Sequence, residues 1–369
     1  MRTIIVTIFL FLLILSSCVD PPIEPQNPDI NIDTTLTSIG IYVINEGLFN
    51  MNNSTLTWYG FDSEVAITDF FEIKNGRRLG DTGNDIAIYG SKMYIVVNVS
   101  SQLEVVDAFT GISIARIPFF DGNKPRQPRC IAFHGSKAYV CSFDGTVAMI
   151  DTAGLQIQQI INVGRNPDGI AVANNKLYVS NSGGLDYPNY DNTVSVIDLN
   201  TFTEIKRIEV GINPYTIAAD NYGDLYVVSR GNYGEIKMKL QIIDSNTDEL
   251  KYTFPDLEVL NLTIQGDTAF VYYYDYIGGG GSKIMLIDLK NETLLDNNFI
   301  KDGTVIETVY GIAVNKLTGD VFISDARGFV NTGVVHCFDR NGNKKYTFTA
   351  GLNPGKMAIL IKRDANSNN

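Results

Sequence analysis

The sequence predicts an all-β chain closed into a seven-bladed β-propeller with four antiparallel strands per blade. Three observations carry this expectation. A segment of the form Ile-Ala-Val, a turn and then Leu-Tyr-Val recurs, with starts separated by 45, 39, 47, 45, 50 and 45 residues. Each full copy continues through a variable loop into an alternating strand that ends in Asp, and then into a fourth strand. The chain also opens one strand short of a copy and closes with one strand to spare. Four strands of five or six residues with short connections fill a period of this length, which is the signature of a propeller blade.

The copies read in order as follows. Ile86-Ala87-Ile88 precedes Met93-Tyr94-Ile95, and Ile131-Ala132-Phe133 precedes Ala138-Tyr139-Val140. Ile170-Ala171-Val172 precedes Leu177-Tyr178-Val179, and Ile217-Ala218-Ala219 precedes Leu225-Tyr226-Val227. Worn copies are Leu262-Thr263-Ile264 before Ala269-Phe270-Val271 and Ile312-Ala313-Val314 before Val321-Phe322-Ile323. Met357-Ala358-Ile359 has no partner after it, whereas Ile41-Tyr42-Val43 opens directly as a second strand. The C-terminal strand is therefore expected to complete the N-terminal blade, which removes the open sheet edge. Asp107, Asp151, Asp198, Asp244 and Asp288 close the third strands, and their recurrence points to turn capping rather than catalysis.

Composition narrows the function classes. The chain has 369 residues, a formal net charge of −12, and only two His and one Trp. An acidic chain lacks the Lys/Arg excess that neutralises phosphates, so nucleic acid is not expected as a partner. His134 lies at a predicted hairpin turn and His336 in a predicted third strand, which leaves neither placed for a catalytic triad. No metal site or cofactor is expected. Asp339 to Asn343 (DRNGN) reads as an Asx/Gly turn, because no bidentate Glu follows to complete a calcium loop.

The N-terminus reads as an address. Arg2 precedes an apolar run from Ile4 to Leu15, followed by Leu15-Ser16-Ser17-Cys18. This resembles the bacterial lipobox, which implies that Cys18 is acylated and anchors the chain to the outer membrane. Residues 1–17 are then a lipoprotein signal peptide, 18–38 the lipidated Cys and a Pro-rich tether, 39–363 the propeller and 364–369 a tail. Cys130 and Cys141 fall opposite each other if Gly135-Ser136 forms a two-residue hairpin turn, and both a disulfide and two thiols remain open. Cys337 reads as a core thiol.

Departures from the repeat mark the candidate site. In a propeller, the loops between second and third strands share one face with the blade-joining segments. Several of these loops are long and rich in Tyr, Phe, Asn and Gly, a composition that supplies contact area at low entropic cost. Asn45 to Ser54 carries Phe49 and Asn50, and Asn181 to Thr193 carries Tyr187 and Tyr190. Ser229 to Lys239 carries Arg230 and Tyr233, Tyr272 to Lys283 carries Tyr276, and Ser324 to Val334 carries Arg327 and Phe329. Tyr215 sits on a blade-joining segment, as do Arg77, Arg78, Arg126 and Asn166.

The turn Ile197 to Thr201, the linkers Val163 to Pro167 and Val210 to Pro214, and the strand Leu177 to Asn181 resemble the YVTN/YncE family of propellers. Trp-Asp repeats are excluded, since Trp58 is the only Trp. The stretches Ile41 to Gly60 and Gly80 to Asn98 resemble the BtuG-type surface lipoproteins of Bacteroidetes. That resemblance implies a non-enzymatic protein that captures cobalamin or another corrinoid on its loop face. It further implies hand-off to a TonB-dependent outer-membrane transporter and exposure to the cell exterior. The same residues also suit a surface glycan or other nutrient binder, or a protein-interaction propeller without a small ligand.

Overall fold

In a computed structural model of the chain, residues 34–274 and 281–365 are described. Cys18, the signal peptide, most of the tether, Tyr276 and the last four residues lie outside the described residues. Residues Leu36–Lys362 form one compact unit. Among the described residues, no helix is long and apolar enough to cross a membrane.

The repeats become seven four-stranded sheets. Blade 2 runs through Gly83–Tyr89, Lys92–Val97, Gln102–Asp107 and Ser113–Pro118. Blades 3 to 7 repeat that order and begin with Pro128–His134, Pro167–Ala173, Pro214–Ala219, Asn261–Gln265 and Val309–Val314. Blade 1 is assembled from both ends of the chain: Pro354–Ala365 pairs beside Thr34–Asn45, followed by Thr55–Gly60 and Val65–Ile67. The expected closure is therefore present.

Burial explains the composition of each strand. Second and third strands are covered by neighbouring blades on both faces and read as continuous apolar runs, such as Lys92–Val97 (KMYIVV) with five buried residues in succession. Fourth strands lie at the rim and alternate, as in Ser113–Pro118 (SIARIP). Seven apolar clusters, one at each blade interface, form the core among the described residues. Cys337 belongs to the cluster between blades 7 and 1, as expected of a core thiol.

Polar ties repeat as well. The backbone N–H of Gly164, in the linker between blades 3 and 4, donates to Asn181 Oδ1 at 3.1 Å. Gly351 repeats this at the closure, donating to Asn45 Oδ1 at 3.0 Å across 306 positions of sequence. Ala350 to Pro354 is thus a third, worn copy of the Val-Gly-x-Asn-Pro linker. Its Asn353 takes a φ of 54°, beside 45° for Asn166 and 58° for Asn213, a left-handed backbone that Asn tolerates better than most residues.

At the outer turns, Asp198 Oδ1 accepts the backbone N–H groups of Asn200 and Thr201, both at 2.9 Å. Asp107, Asp244 and Asp288 cap their turns in the same way. Asp339 caps the Asn341 and Asn343 N–H groups, which is the Asx turn its sequence indicates. The hairpin at Gly135-Ser136 pairs His134 with Lys137 and sets Cys130 opposite Cys141, and both cysteines are free thiols.

Candidate functional site

The site grows out of a repeated irregularity. In blades 2, 3, 4, 5 and 7 the innermost strand slips register just after it leaves the loop face. The slip leaves Asn84, Arg129, Asp168 and Tyr310 each unpaired between two ladder partners, and in blade 5 Tyr215 and Thr216 together oppose one residue. Such bulges bend a strand and re-aim its side chains. Here they gather side chains at one mouth of the central channel, around a cavity of about 530 Å³, within the usual range for small-molecule sites.

Hydrogen bonds join these positions from blade to blade. Asn84 Nδ2 donates to the Arg129 carbonyl at 2.5 Å, and Arg129 Nε donates to Asp168 Oδ1 at 2.7 Å. Thr216 donates to Asn261 at 2.6 Å. Across the seventh blade, Tyr272 Oη donates to the Tyr310 carbonyl at 2.6 Å, and Tyr310 Oη donates to Glu46 Oε2 at 2.7 Å. Glycines let the innermost strands approach closely. A Cβ on Gly169 would stand 2.2 Å from the Tyr215 carbonyl, and one on Gly311 would stand 2.0 Å from that of Gly355.

Charge is dense in this wall and closely matched. Burial pushes the Glu46 carboxyl above the usual carboxylate range, against the hydrogen bond from Tyr310 and the positive charges of Arg129 and Arg230. Burial likewise raises Asp85, opposed by Lys356 and by the backbone N–H groups of Ile131 and Ile86. Burial works against the Arg129 charge, but Asp168 and other neighbours reverse this and hold its pKa above the ordinary value. The Tyr215 phenol is pushed up to about 12, chiefly by burial. The Arg230 guanidinium lies 3.3 Å from the centre of the Tyr215 ring, a stacked cation–π contact. Phe329 meets Tyr310 edge-on at 5.5 Å and Tyr274 at 6.0 Å.

Of the residues singled out from sequence, Tyr215, Arg230 and Phe329 line this cavity. Tyr187, Tyr190 and Tyr233 form a separate aromatic ladder on the loops of blades 4 and 5, with ring centres 6.1 and 6.2 Å apart. The loop bearing Tyr187 and Tyr190 is held by Arg165, which reaches Asp186 at 2.6 Å and the Asn189 carbonyl at 2.9 Å. Phe49, Asn50 and Arg327 are exposed on loops of the same face and do not line the cavity. Tyr276 lies outside the described residues. Arg77 and Arg126 are tied to Glu104 and Asp144 at 2.7 and 2.6 Å, as struts between chain segments.

His336 is bonded to Thr347 within blade 7. Among the described residues, no group of three His, Cys, Asp or Glu side chains is arranged to hold a metal ion.

Residues 39–352 match a family model described as a domain of unknown function, DUF5074. The chain belongs to this family. No curated protein sequence matches this DUF5074 chain. Among solved structures, it is similar to hydrazine synthase of Kuenenia stuttgartiensis at 16% identity and a TM-score of 0.61, covering 78% of this chain and 96% of that one. It is also similar to a quinonprotein alcohol dehydrogenase-like protein of Bacteroides thetaiotaomicron, at 14% identity and a TM-score of 0.63 over 88% of this chain and 79% of that one. Dihydro-heme d1 dehydrogenase matches at 12% identity and a TM-score of 0.56, over 86% of this chain and 75% of that one. At such identities the likeness speaks for the propeller architecture alone.

Sequence reasoning missed Glu46, Asp85, Arg129, Tyr310 and Lys356. A signal for most of them is present in this DUF5074 chain. Counting one or two residues back from each Ile-Ala-Val copy gives Asn84-Asp85, Arg129-Cys130, Asp168-Gly169, Tyr215-Thr216, Leu260-Asn261, Tyr310-Gly311 and Gly355-Lys356. These pairs are where otherwise similar repeats differ most, and all but Asp168 line the cavity.

Proposed function

We propose that this protein is a non-enzymatic surface binding protein that captures cobalamin or another corrinoid on the loop face of its propeller. In this reading it hands the ligand to a TonB-dependent outer-membrane transporter. The observation that carries the reading is a cavity at the channel mouth together with solvent-exposed aromatic rings on loops of the same face. Tyr187 is 73% exposed and Tyr233 45% exposed, while Tyr215, Phe329 and Arg230 line the cavity. Exposed rings on loops carried by a rigid propeller supply contact area and lose little entropy on binding.

A corrinoid is larger than the cavity, so it would rest across the rim with one projecting group in the mouth. The resemblance of Ile41 to Gly60 and Gly80 to Asn98 to BtuG-type lipoproteins supports the choice of ligand and of transporter. The lipobox at Cys18 supports anchoring to the outer membrane, facing the exterior. Cys18→Ala should then release the chain from the membrane fraction.

Calorimetric and absorbance titration of residues 19–369 with cyanocobalamin tests the reading. Saturable one-to-one binding is expected, weakened by Ala at Tyr187, Tyr190, Tyr233 or Phe329 by roughly 1 kcal/mol each. Heat with oligosaccharides and none with cyanocobalamin would replace the corrinoid by a glycan. Unchanged affinity in all four variants would move the ligand off this face.

A further inference from the structure

The charged side chains of the cavity wall pair off by sign. Among the described residues the lining charges are Glu46, Asp85, Arg129, Arg230 and Lys356; Asp168, behind the lining, takes up the Arg129 charge and leaves Glu46 and Asp85 against Arg230 and Lys356. A neutral guest leaves this balance intact. A guest carrying its own charge would bring an unmatched ion into a partly desolvated space, which is costly.

Glu46 is the residue best placed to test a guest. It follows the second strand of blade 1, where its backbone N–H donates to the Asn353 carbonyl at 3.0 Å and fixes its position on the closing linker. Tyr310 occupies only one carboxyl oxygen, Oε2. Among the described residues, no hydrogen-bond donor reaches Oε1, and the residue lines the cavity. Glu46 and Arg230 line the same cavity. The wall therefore offers an unfilled acceptor and, on the same cavity, a guanidinium group. A primary carboxamide is the neutral group that answers both, because its NH₂ donates and its C=O accepts.

We infer that the mouth of the channel is a carboxamide subsite, in which Glu46 Oε1 accepts from the amide nitrogen of the guest and excludes the corresponding carboxylate. The inference rests on the corrinoid reading, since a corrinoid carries its side-chain amides at its periphery. Glu46 then acts as a specificity residue: a carboxylate in place of the amide removes the donor and sets two negative groups against each other.

The test compares cyanocobalamin with its monocarboxylic acids, in which one peripheral propionamide is hydrolysed, on the wild-type chain and on Glu46→Gln at neutral pH. Wild type should bind at least one of these acids about tenfold or more weakly than the amide. Glu46→Gln should shrink that ratio to within about threefold, because a glutamine can donate to a carboxylate as well as accept from an amide. Equal wild-type affinity for the amide and every acid overturns the inference and leaves the corrinoid reading standing, whether or not the variant folds. A wild-type preference that survives unchanged in a folded Glu46→Gln protein also overturns it. Failure of wild type to bind cyanocobalamin at all removes the underlying reading instead.

Discussion

The two ends of each repeat behave in opposite ways. At the outer turns, blades 2, 4, 5 and 6 place the same residue, Asp107, Asp198, Asp244 or Asp288, in the same capping role. At the inner ends, the equivalent positions hold Asn84, Arg129, Asp168, Tyr215 and Tyr310, and each departs from the strand ladder. The outer turns solve one local problem, the unsatisfied N–H groups of a tight connection, and one residue type solves it every time. The inner ends meet each other around a channel, so what each must be depends on its neighbours. Uniformity marks the scaffold, and variety at equivalent positions marks the part that deals with something else.

The comparison can be broken most severely at Arg129. Its pair with Asp168 is mostly buried, with side-chain exposures of 12% and 10%. Arg129→Ala strands the carboxylate and should cost about 3 kcal/mol in urea unfolding, as for other broken buried pairs. Replacing both partners by apolar residues should restore much of that loss. If the single variant is neutral, the inner ring is not a coupled unit.

Next comes Tyr215→Ala. It should lower affinity for cyanocobalamin by about 2 kcal/mol, read by calorimetry, because it removes the ring on which Arg230 lies. Asp198→Ala is its mirror image. It should leave that affinity unchanged and lower the urea unfolding midpoint only slightly, as expected for a lost turn cap. A capping variant that weakened ligand binding would erase the distinction between the two ends.

The smallest effect is expected from pH. Backbone hydrogen bonds hold Asp107, Asp198 and Asp244 below the usual carboxylate range, and Asp302 is lowered to about 2 by the N–H groups of Lys344 and Thr304. Depressed carboxyls contribute stability that is complete above an ordinary Asp pKa of about 4 and is lost as pH falls through the folded-state values. Burial depresses the His336 imidazole, so its share is complete above the ordinary His pKa of about 6.5 and declines as pH falls. The melting temperature should therefore drop clearly between pH 4 and 2, whereas between pH 7 and 5 the small His336 loss is opposed by the buried Glu46 and Asp85, whose raised carboxyls regain stability as they protonate. Asn at Asp302 should flatten part of the lower step.

The fold was legible because it repeats. A period near 45 residues, four strand signals per period and one orphan strand at the end are enough to specify the ring and its closure. The hairpin at Gly135-Ser136 and the capping Asp residues were legible for the same reason, being set by local turn chemistry. The candidate site was only partly so. Long loops pointed to the face on which the cavity opens, and three of the named residues line it. Apart from Tyr215, the bulged residues escaped because a repeat search keeps what recurs and discards what varies. Glu46 escaped although it lies in the Asn45 to Ser54 loop, because its partner Tyr310 is 264 positions away. The Arg129–Asp168 pair bridges neighbouring blades, and no local pattern announces it.

Closure by Pro354–Ala365 also has a mechanical side. The strand Thr34–Asn45 is hydrogen-bonded along both edges, to Pro354–Ala365 on one side and Thr55–Gly60 on the other. Its Asn45 end lies on the loop face, so a pull along the strand from its Thr34 end acts away from that face. Such a pull meets two ladders in shear, which must yield together, rather than one ladder peeled bond by bond. A load applied at Thr34 along that direction would reach the ring without opening its seam.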